Sequence, residues 1–428
     1  MKYAFLVVAI LISSWANAQV VISGTITSDN GKAIPSASVF LSNTSKGTVT
    51  DDKGQFTLKD VPAGRQTLVV TCIGFETVYQ LLDSGDLSRL RVTMHPEASE
   101  LGEVEIRAYD KNGYQKWGDV FEAAFIGTSG FARQCVIKNP KDIRLHFGEK
   151  SQVLTAYSDR LIIIENHALG YQLRVMLKFF RYELGTQAIS FGLYPFFSEM
   201  TGSPAEMERW RKARSKAYYG SPMHFFRALY QGRVEDEGFR VQFESYKDSS
   251  LYKQIKLNVK YALAQAKIAA GTSSAQALPE TLIDPSLLSL SMSGLKRIRT
   301  SEDRLINPAP APADGLIAGR DSDFIVLWFP QPVKVTYLPG TGLEGYDADT
   351  DQPDSGGGAN TQSGKAGSKT SSNVELVHGF PTQVYANGSM VNSDVLWDGY
   401  WLWLGKLSNM LPYEYEPGPF APPGAVRQ

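Results

Sequence analysis

The chain has 428 residues, and its 43 Lys and Arg residues nearly balance its 44 Asp and Glu residues, for a formal net charge of −1. Its hydrophobic fraction of 43% excludes a wholly disordered chain, and its length allows about two to three domains. The balanced charge argues against a nucleic-acid binder, and the count of only two cysteines excludes a disulfide scaffold and any thiolate zinc site that needs three or four cysteines.

The N-terminus has the pattern of a signal peptide. Lys2 precedes the apolar run AFLVVAILI, and the small-x-small sequence of Ala16 to Ala18 places cleavage before Gln19. The apolar run is shorter than the about 20 residues that a membrane-spanning helix needs. We expect residues 1–18 to be removed and the mature chain to have no transmembrane segment. We also expect an exported protein in the periplasm, at the outer membrane or at the cell surface.

Residues 19–96 predict a small β-sandwich. Short alternating runs such as VVISGTIT, SVFLSN, QFTL and LRVTM are separated by turn residues, including Asp29–Lys32 and Asp51–Gly54. Several short strands at near-regular spacing, with no helical periodicity, are typical of a sandwich or a barrel.

The same residues resemble the carboxypeptidase-regulatory-like domain. SGTITSDNGKAIPSASVFL, GTVTDDKGQFTL and VPAGRQTLVVTCIGFE occur in the order of that family, with an Asp-x-x-Gly-x-Phe turn at Asp51–Phe56 and a turn at Pro62–Gly64. The resemblance implies a transthyretin-like sandwich of about seven strands that serves as a binding module or a spacer. It does not imply peptidase activity. In secreted bacterial proteins the module often precedes outer-membrane transporters. We expect no transporter here, because a helical stretch and long linkers follow.

Residues 97–262 predict an α+β domain. FIGTSGFARQCVIKNP, LIIIENHALGYQLRVMLKFF and ERWRKARSKAYYGSPMHFFRAL resemble the body of secreted bacterial proteins that carry this module and have no assigned chemistry. DRLIIIEN and YQLRVMLKFFRYEL predict strands. Ser203 and Glu206 have the spacing of a capping box before a helix, and Gly220–Pro222 divides the helical stretch in two.

The rest of the chain alternates linkers and strands. Residues 263–321 predict a connecting region rich in Ala, Ser and Pro, and residues 322–428 a β-rich part. Within the latter, residues 339–373 carry few large apolar side chains, so we expect this linker to be disordered. Asn387 and Gly388 predict the turn of a hairpin.

Chemical motifs are weak. His146 and Glu149 have the HxxE spacing of two zinc ligands in metallocarboxypeptidases, but none of the later histidines has the spacing of the third ligand. Cys135 with His167 would make a nucleophile and base, although a single Cys in an apolar segment is usually a buried small residue. We therefore predict no catalytic residues, no metal and no cofactor.

Aromatic residues cluster near the C-terminus. Trp397, Tyr400, Trp401 and Trp403 are candidates for ligand binding, because on a strand Trp401 and Trp403 share a face that suits a sugar ring or a partner protein. The alternative, which the apolar character of both faces of this run favours, is that these side chains fill the core of the second domain.

Together these patterns predict a mainly β protein with an α+β second domain and an N-terminal seven-stranded transthyretin-like β-sandwich. We expect an exported, non-catalytic binding or structural protein of the bacterial cell envelope. Its partner would be an envelope protein or a carbohydrate. The alternative is a hydrolase, associated with peptidases, whose site is not recognisable from the sequence.

Overall fold

The fold was analysed in a computed structural model. It describes residues 20–62, 65–82, 89–97, 109–186, 188–246, 304–310, 313–329, 332–338, 371–376, 381–390, 395–397, 399–401 and 406–418. The chain divides into two compact units, Met1–Glu103 and Val104–Gln428. The expected signal peptide (1–18) lies outside the described residues, as does the expected linker except for residues 371–373. No described helix is long and apolar enough to cross a membrane.

The first unit is the predicted β-sandwich. Its seven strands are β1 (Val20–Ser28), β2 (Ser38–Leu41), β3 (Gly47–Val49), β4 (Gln55–Val61), β5 (Gln66–Thr71), β6 (Val78–Leu82) and β7 (Leu90–Met94). They form two sheets, with the orders β4-β1-β7 and β3-β2-β5-β6. Strands β1 and β7 are parallel, and the other pairs are antiparallel. The fold class expected from the sequence is therefore confirmed.

The Asp-x-x-Gly-x-Phe turn leads directly into the sandwich core. Asp51 Oδ1 accepts hydrogen bonds from the backbone N–H groups of Lys53 and Gln55, which closes the turn before β4. Gly54 has a φ of +70°, and a β-carbon there would collide with the carbonyl oxygen of Ile26. Along β4 the side chains alternate, so that Phe56 is 4% exposed and belongs to the core. The motif thus sets the register of β4.

The second unit begins with a helix and one antiparallel sheet. Helix α1 (Gly113–Phe125) precedes β8 (Cys135–Ile137), β9 (Arg144–Gly148), β10 (Val153–Tyr157), β11 (Ile162–Asn166), β12 (Tyr171–Glu183) and β13 (Ala188–Glu199). The strand order is β8-β11-β12-β10-β9, and β13 pairs along β12. Phe121 and Phe125 of α1 pack against Phe180 of β12 in a fully buried aromatic group.

Two helices follow this sheet, α2 (Pro204–Tyr218) and α3 (Pro222–Gln231). The predicted capping box is present, because the Ser203 side chain accepts from Glu206 N–H and the Glu206 side chain accepts from Ser203 N–H. Gly220 separates the helices at a φ of +78°. Local sequence signals therefore locate both helices.

A second set of strands completes this unit. They are β14 (Phe239–Tyr246), β15 (Arg304–Pro310), β16 (Ile317–Arg320), β17 (Phe324–Leu327), β18 (Val333–Tyr337), β19 (Ser371–Leu376), β20 (Thr382–Tyr385) and β21 (Val395–Trp397). One sheet has the order β15-β14-β18-β19-β21, and the other has the order β16-β17-β20.

The first of these sheets joins regions that the sequence analysis separated. Strand β14 comes from the expected α+β domain, β15 from the expected connecting region and β18 from the expected C-terminal part. Pro308 and Pro310 indicated a linker, yet residues 304–310 form a strand. It is a terminal strand of the sheet, with a register irregularity beside Gln242, and such strands tolerate proline.

The C-terminal segment 406–418 is tied to the rest of the second unit by buried polar contacts. Arg227 of α3 is 5% exposed, and its guanidinium donates to the carbonyl oxygens of Asn387 (3.0 Å), Tyr413 (3.0 Å) and Tyr415 (2.8 Å). Asn166 Nδ2 donates to the carbonyl oxygen of Ser408. The segment is therefore a structural part of this unit.

Candidate functional site

The candidate site is an open cleft of about 650 Å³ beside β9 in the second unit. We call it the β9 cleft. It is lined by Asp110, Asn112, Lys116, His146, Phe147, Gly148, Glu149, Lys150 and Ser151. One wall comes from the residues that begin helix α1, and the other comes from β9 and the turn after it. The sequence places these two segments far apart, and the packing of α1 against β9 brings them together.

Asp110 and His146 form the fixed part of the cleft. Asp110 Oδ1 lies 3.1 Å from His146 Nδ1, and each side chain is 36% exposed. Because an ionised carboxylate only accepts hydrogen bonds, Nδ1 is the donor in this contact and Asp110 Oδ1 is the acceptor. Asp110 Oδ2 also accepts from the backbone N–H of Phe147 at 3.3 Å. Both carboxylate oxygens of Asp110 are therefore engaged.

The other polar groups of the cleft are less constrained. Within the described part of the chain, the Lys116 and Lys150 ammonium groups form no salt bridge, and neither does the Glu149 carboxylate. Lys116 Nζ lies 5.3 Å from the centre of the Trp117 ring. Asn112 is the N-cap residue of α1, and its side chain makes no capping hydrogen bond. These groups remain available to a ligand.

The histidines considered as zinc ligands lie in separate places. His146 is in the cleft, His167 Nε2 lies 3.3 Å from Glu165, and His378 lies outside the described residues. His224 is buried in α3, where its Nδ1 accepts from Gly220 N–H and its Nε2 lies 3.2 Å from Glu237 Oε2. Among the described residues no three His, Cys, Asp or Glu side chains gather as metal ligands.

Cys135 is in a chemically unreactive setting. Burial raises the pKa of its thiol to about 12, and Sγ donates to the carbonyl oxygen of Phe131. The thiolate is the nucleophilic form of cysteine, so a thiol with this pKa is a poor nucleophile at neutral pH. Cys72 is also a free thiol.

The aromatic candidates are dispersed by the fold. Trp401 is 1% exposed, packs on Phe225 and Phe226 and donates from Nε1 to the carbonyl oxygen of Gly220, so it is a core residue. It lies in a helical turn with Tyr400 and not on a strand. Trp397 ends β21, and Trp403 lies outside the described residues. A ligand-binding role for Trp397, Tyr400 and Trp403 stays a prediction.

Sequence reasoning found His146 and Glu149 through their spacing but missed Asp110, Lys116 and Lys150. Asp110 lies 36 residues before His146. A lysine near the start of a helix that has no acidic residue in its first turn is a local signal for Lys116, because it opposes the helix dipole.

Comparison with known proteins identifies the first unit. Residues 22–106 match the model of the CarboxypepD_reg-like domain family, so this part of the chain is a carboxypeptidase-regulatory-like β-sandwich. A stretch of 107 residues, 25% of this chain, is 36% identical to the TonB-dependent receptor P39 of Formosa agariphila. That stretch covers 10% of the receptor, so the chain spans a tenth of the length of the curated relative that it matches.

Similarities to solved structures are low. A cohesin–X-dockerin complex of Acetivibrio cellulolyticus is 23% identical over 26% of this chain and 78% of that chain, with a TM-score of 0.17. The major pilin subunit of Bacillus cereus is 9% identical over 43% of this chain and 70% of that chain, with a TM-score of 0.16. Scores this low carry no argument about function.

Proposed function

We propose that this chain is an exported, non-catalytic binding or structural protein of the bacterial cell envelope. The observation that carries the proposal is the regulatory-like sandwich shared with a TonB-dependent receptor. The signal-peptide pattern of residues 1–18 supports export. The proposed partner is an envelope protein or a carbohydrate, and the balanced charge argues against nucleic acid.

The non-catalytic part of the proposal is supported by the chemistry of the described residues. The Cys135 thiol is held protonated by burial, and the His167 ring is paired with Glu165. Asp110 and His146 form a carboxylate–imidazole pair, but the Ser151 hydroxyl in the same cleft donates to the carbonyl oxygen of Gly148, and no group of metal ligands is found among the described residues, so the pair has neither an aligned serine nucleophile nor a metal site. A binding role needs neither.

Localisation tests the envelope assignment. The full chain should appear in the envelope or periplasmic fraction of a bacterial host, and mass spectrometry should show that the mature protein starts at Gln19. Retention of Met1 together with a cytoplasmic location would contradict the proposal.

The sandwich also offers a candidate contact point. Ile73 lies between β5 and β6 and is 89% exposed, the largest value among the exposed large hydrophobic side chains of the described residues. In a pull-down from cell envelopes, Ile73→Ser should reduce capture of the partner. Val49→Ser, at a 58% exposed valine on β3, is the matched control and should not reduce it. Equal capture by both variants would remove Ile73 from the interface.

A hydrolase is the competing function. Incubation of the purified mature chain with peptide and ester substrates, with and without a chelator, separates the two. Turnover that is lost on His146→Ala would contradict the binding proposal.

A further inference from the structure

One wall of the β9 cleft is formed by β9, which is a terminal strand of its sheet among the described strands. Asp110 N–H donates to the carbonyl oxygen of Leu145 at 2.8 Å, and Phe147 N–H donates to Asp110 Oδ2. In an antiparallel strand the N–H and C=O groups of one residue point to the same side. The Phe147 carbonyl therefore points away from β10, as its N–H does, to the side on which Asp110 lies. It offers an acceptor to a ligand N–H group.

Two ammonium groups border the same cleft. Lys116 belongs to α1, and Lys150 belongs to the turn after β9. The carboxylates of Asp110 and Glu149 line the same cleft, but within the described residues neither forms a salt bridge with Lys116 or Lys150. Asn112 and Ser151 add an amide and a hydroxyl. A ligand that matches these groups carries a negative charge beside a hydrogen-bond donor.

We propose that the β9 cleft binds the C-terminal end of a peptide chain. The terminal carboxylate lies between the Lys116 and Lys150 ammonium groups, and the last amide N–H donates to the Phe147 carbonyl oxygen. A chain end carries these two groups on a single residue, whereas an inorganic anion carries no amide donor. Capture of a terminal carboxylate is one of the recurring modes of peptide recognition.

The inference rests on the proposed binding function, but its test is independent of location. Binding is measured with purified protein, so a failure here leaves the envelope assignment to the fractionation experiment. A cytoplasmic location would in turn leave the peptide measurement unaffected.

Glu149 allows a test in which two kinds of replacement should change the peptide affinity in opposite directions. Its carboxylate lines the same cleft and repels a bound carboxylate. Replacement by Gln should therefore strengthen binding, whereas replacement of either lysine by Gln should weaken it. A structural role for these exposed residues would not produce opposite effects of this kind.

The experiment uses fluorescence polarisation with a short Ala/Gly peptide that carries an N-terminal fluorescein and a free C-terminal carboxylate. Two further probes are the same peptide as a C-terminal amide and the same peptide with its last amide nitrogen methylated. The protein variants are Lys116→Gln, Lys150→Gln and Glu149→Gln. Lys141→Gln, at an exposed lysine outside the cleft, is the control. Circular dichroism verifies that each variant is folded.

We expect the free acid to bind and each cleft lysine variant to weaken it about fivefold. Glu149→Gln should tighten binding, Lys141→Gln should leave it unchanged, and the amide and methylated probes should bind more weakly than the acid. If the free-acid peptide showed no saturable binding at protein concentrations up to about 1 mM, the proposal would be overturned. Equal affinity for the acid and the amide would also overturn it.

Discussion

Lys406 Nζ donates a hydrogen bond of 2.8 Å to the carbonyl oxygen of Ala124, in the last turn of helix α1. The Lys406 residue is 8% exposed, and burial lowers the pKa of its ammonium group from 10.5 to about 8. The last carbonyl groups of a helix lack partners within the helix, and a positive charge there also favours the helix dipole. One side chain from the C-terminal segment thus closes the end of α1.

The Lys406 contact predicts a stability that rises with pH. Between the folded pKa of about 8 and the usual 10.5, Lys406 holds more protons in the unfolded chain than in the folded chain, so its contribution to the free energy of unfolding increases as pH rises through this window. The raised pKa values of Cys135 and of buried tyrosines such as Tyr413 act in the opposite direction near and above pH 9. Urea unfolding between about pH 7 and 8.5, below the usual pKa values of those groups, should therefore show the increase. Lys406→Met should remove it, and Lys138→Met, at a surface lysine, should keep it. The same pH slope in all three proteins would contradict the assignment.

The buried His224–Glu237 pair predicts acid sensitivity of the second unit. Burial lowers the pKa of His224, and the hydrogen bond from His224 lowers the pKa of Glu237. Tyr218, Tyr219, Phe239 and Tyr337 surround the imidazole, Arg227 adds a nearby positive charge, and Arg233 also pairs with Glu237.

Both shifts act in the same direction. The unfolded chain takes up a proton on His below its usual pKa of 6.5 and on Glu below 4.5, before the folded chain does, so stability falls as pH falls through each value. Thermal unfolding followed from neutral to acid pH should show this loss. Glu237→Gln should reduce the loss of stability below pH 4.5, whereas Glu235→Gln, at an exposed neighbour, should leave that loss unchanged. If Glu237→Gln lost as much stability below pH 4.5 as the native chain, the prediction would be contradicted.

The buried side chain of Phe56 should contribute strongly to the stability of the sandwich. A fragment of residues 20–97 should fold alone as a β domain, because its strands and core are contained within the first unit. Phe56→Ala should lower its free energy of unfolding by about 3–5 kcal/mol through the cavity it leaves. Val49→Ala, at an exposed position, should change it by less than about 0.5 kcal/mol. A random-coil circular dichroism spectrum of the fragment would show that its boundary is wrong.

Metal content tests the absence of zinc chemistry. A catalytic zinc usually has three protein ligands and one open position. His146 and Glu149 could supply two, and within the described residues no third ligand joins them. Metal analysis of the purified chain should therefore show no stoichiometric zinc. Zinc that is present in the native chain and lost in His146→Ala would contradict this prediction.

The sequence predicted the elements that depend on near neighbours. The capping box of Ser203 and Glu206 needs residues three positions apart, and Asn387–Gly388 forms the expected turn because Gly388 takes a φ of +80°. The seven strands of the sandwich were also predictable, since the turns between them have characteristic residues.

The features that the sequence did not predict depend on distant residues. Nothing local indicates that β14 pairs with both β15 and β18, because a strand's partners are decided by the packing of the whole sheet. The pair of Asp110 and His146 is missed for the same reason. The core position of Trp401 agrees with one of the two interpretations of the aromatic cluster, but the residue reaches the core from a helical turn and not from a strand.

The guanidinium of Arg227 has a consequence for the order of folding. Its three acceptors, the carbonyl groups of Asn387, Tyr413 and Tyr415, lie at least 160 residues further along the chain. Until those residues are in place, this cation has none of them to bind, and leaving it buried without acceptors would be costly. Helix α3 therefore reaches its native surroundings only together with these distant residues. Folding of the second unit needs segments from both ends of that unit, whereas the core of the sandwich contains only residues of the first unit.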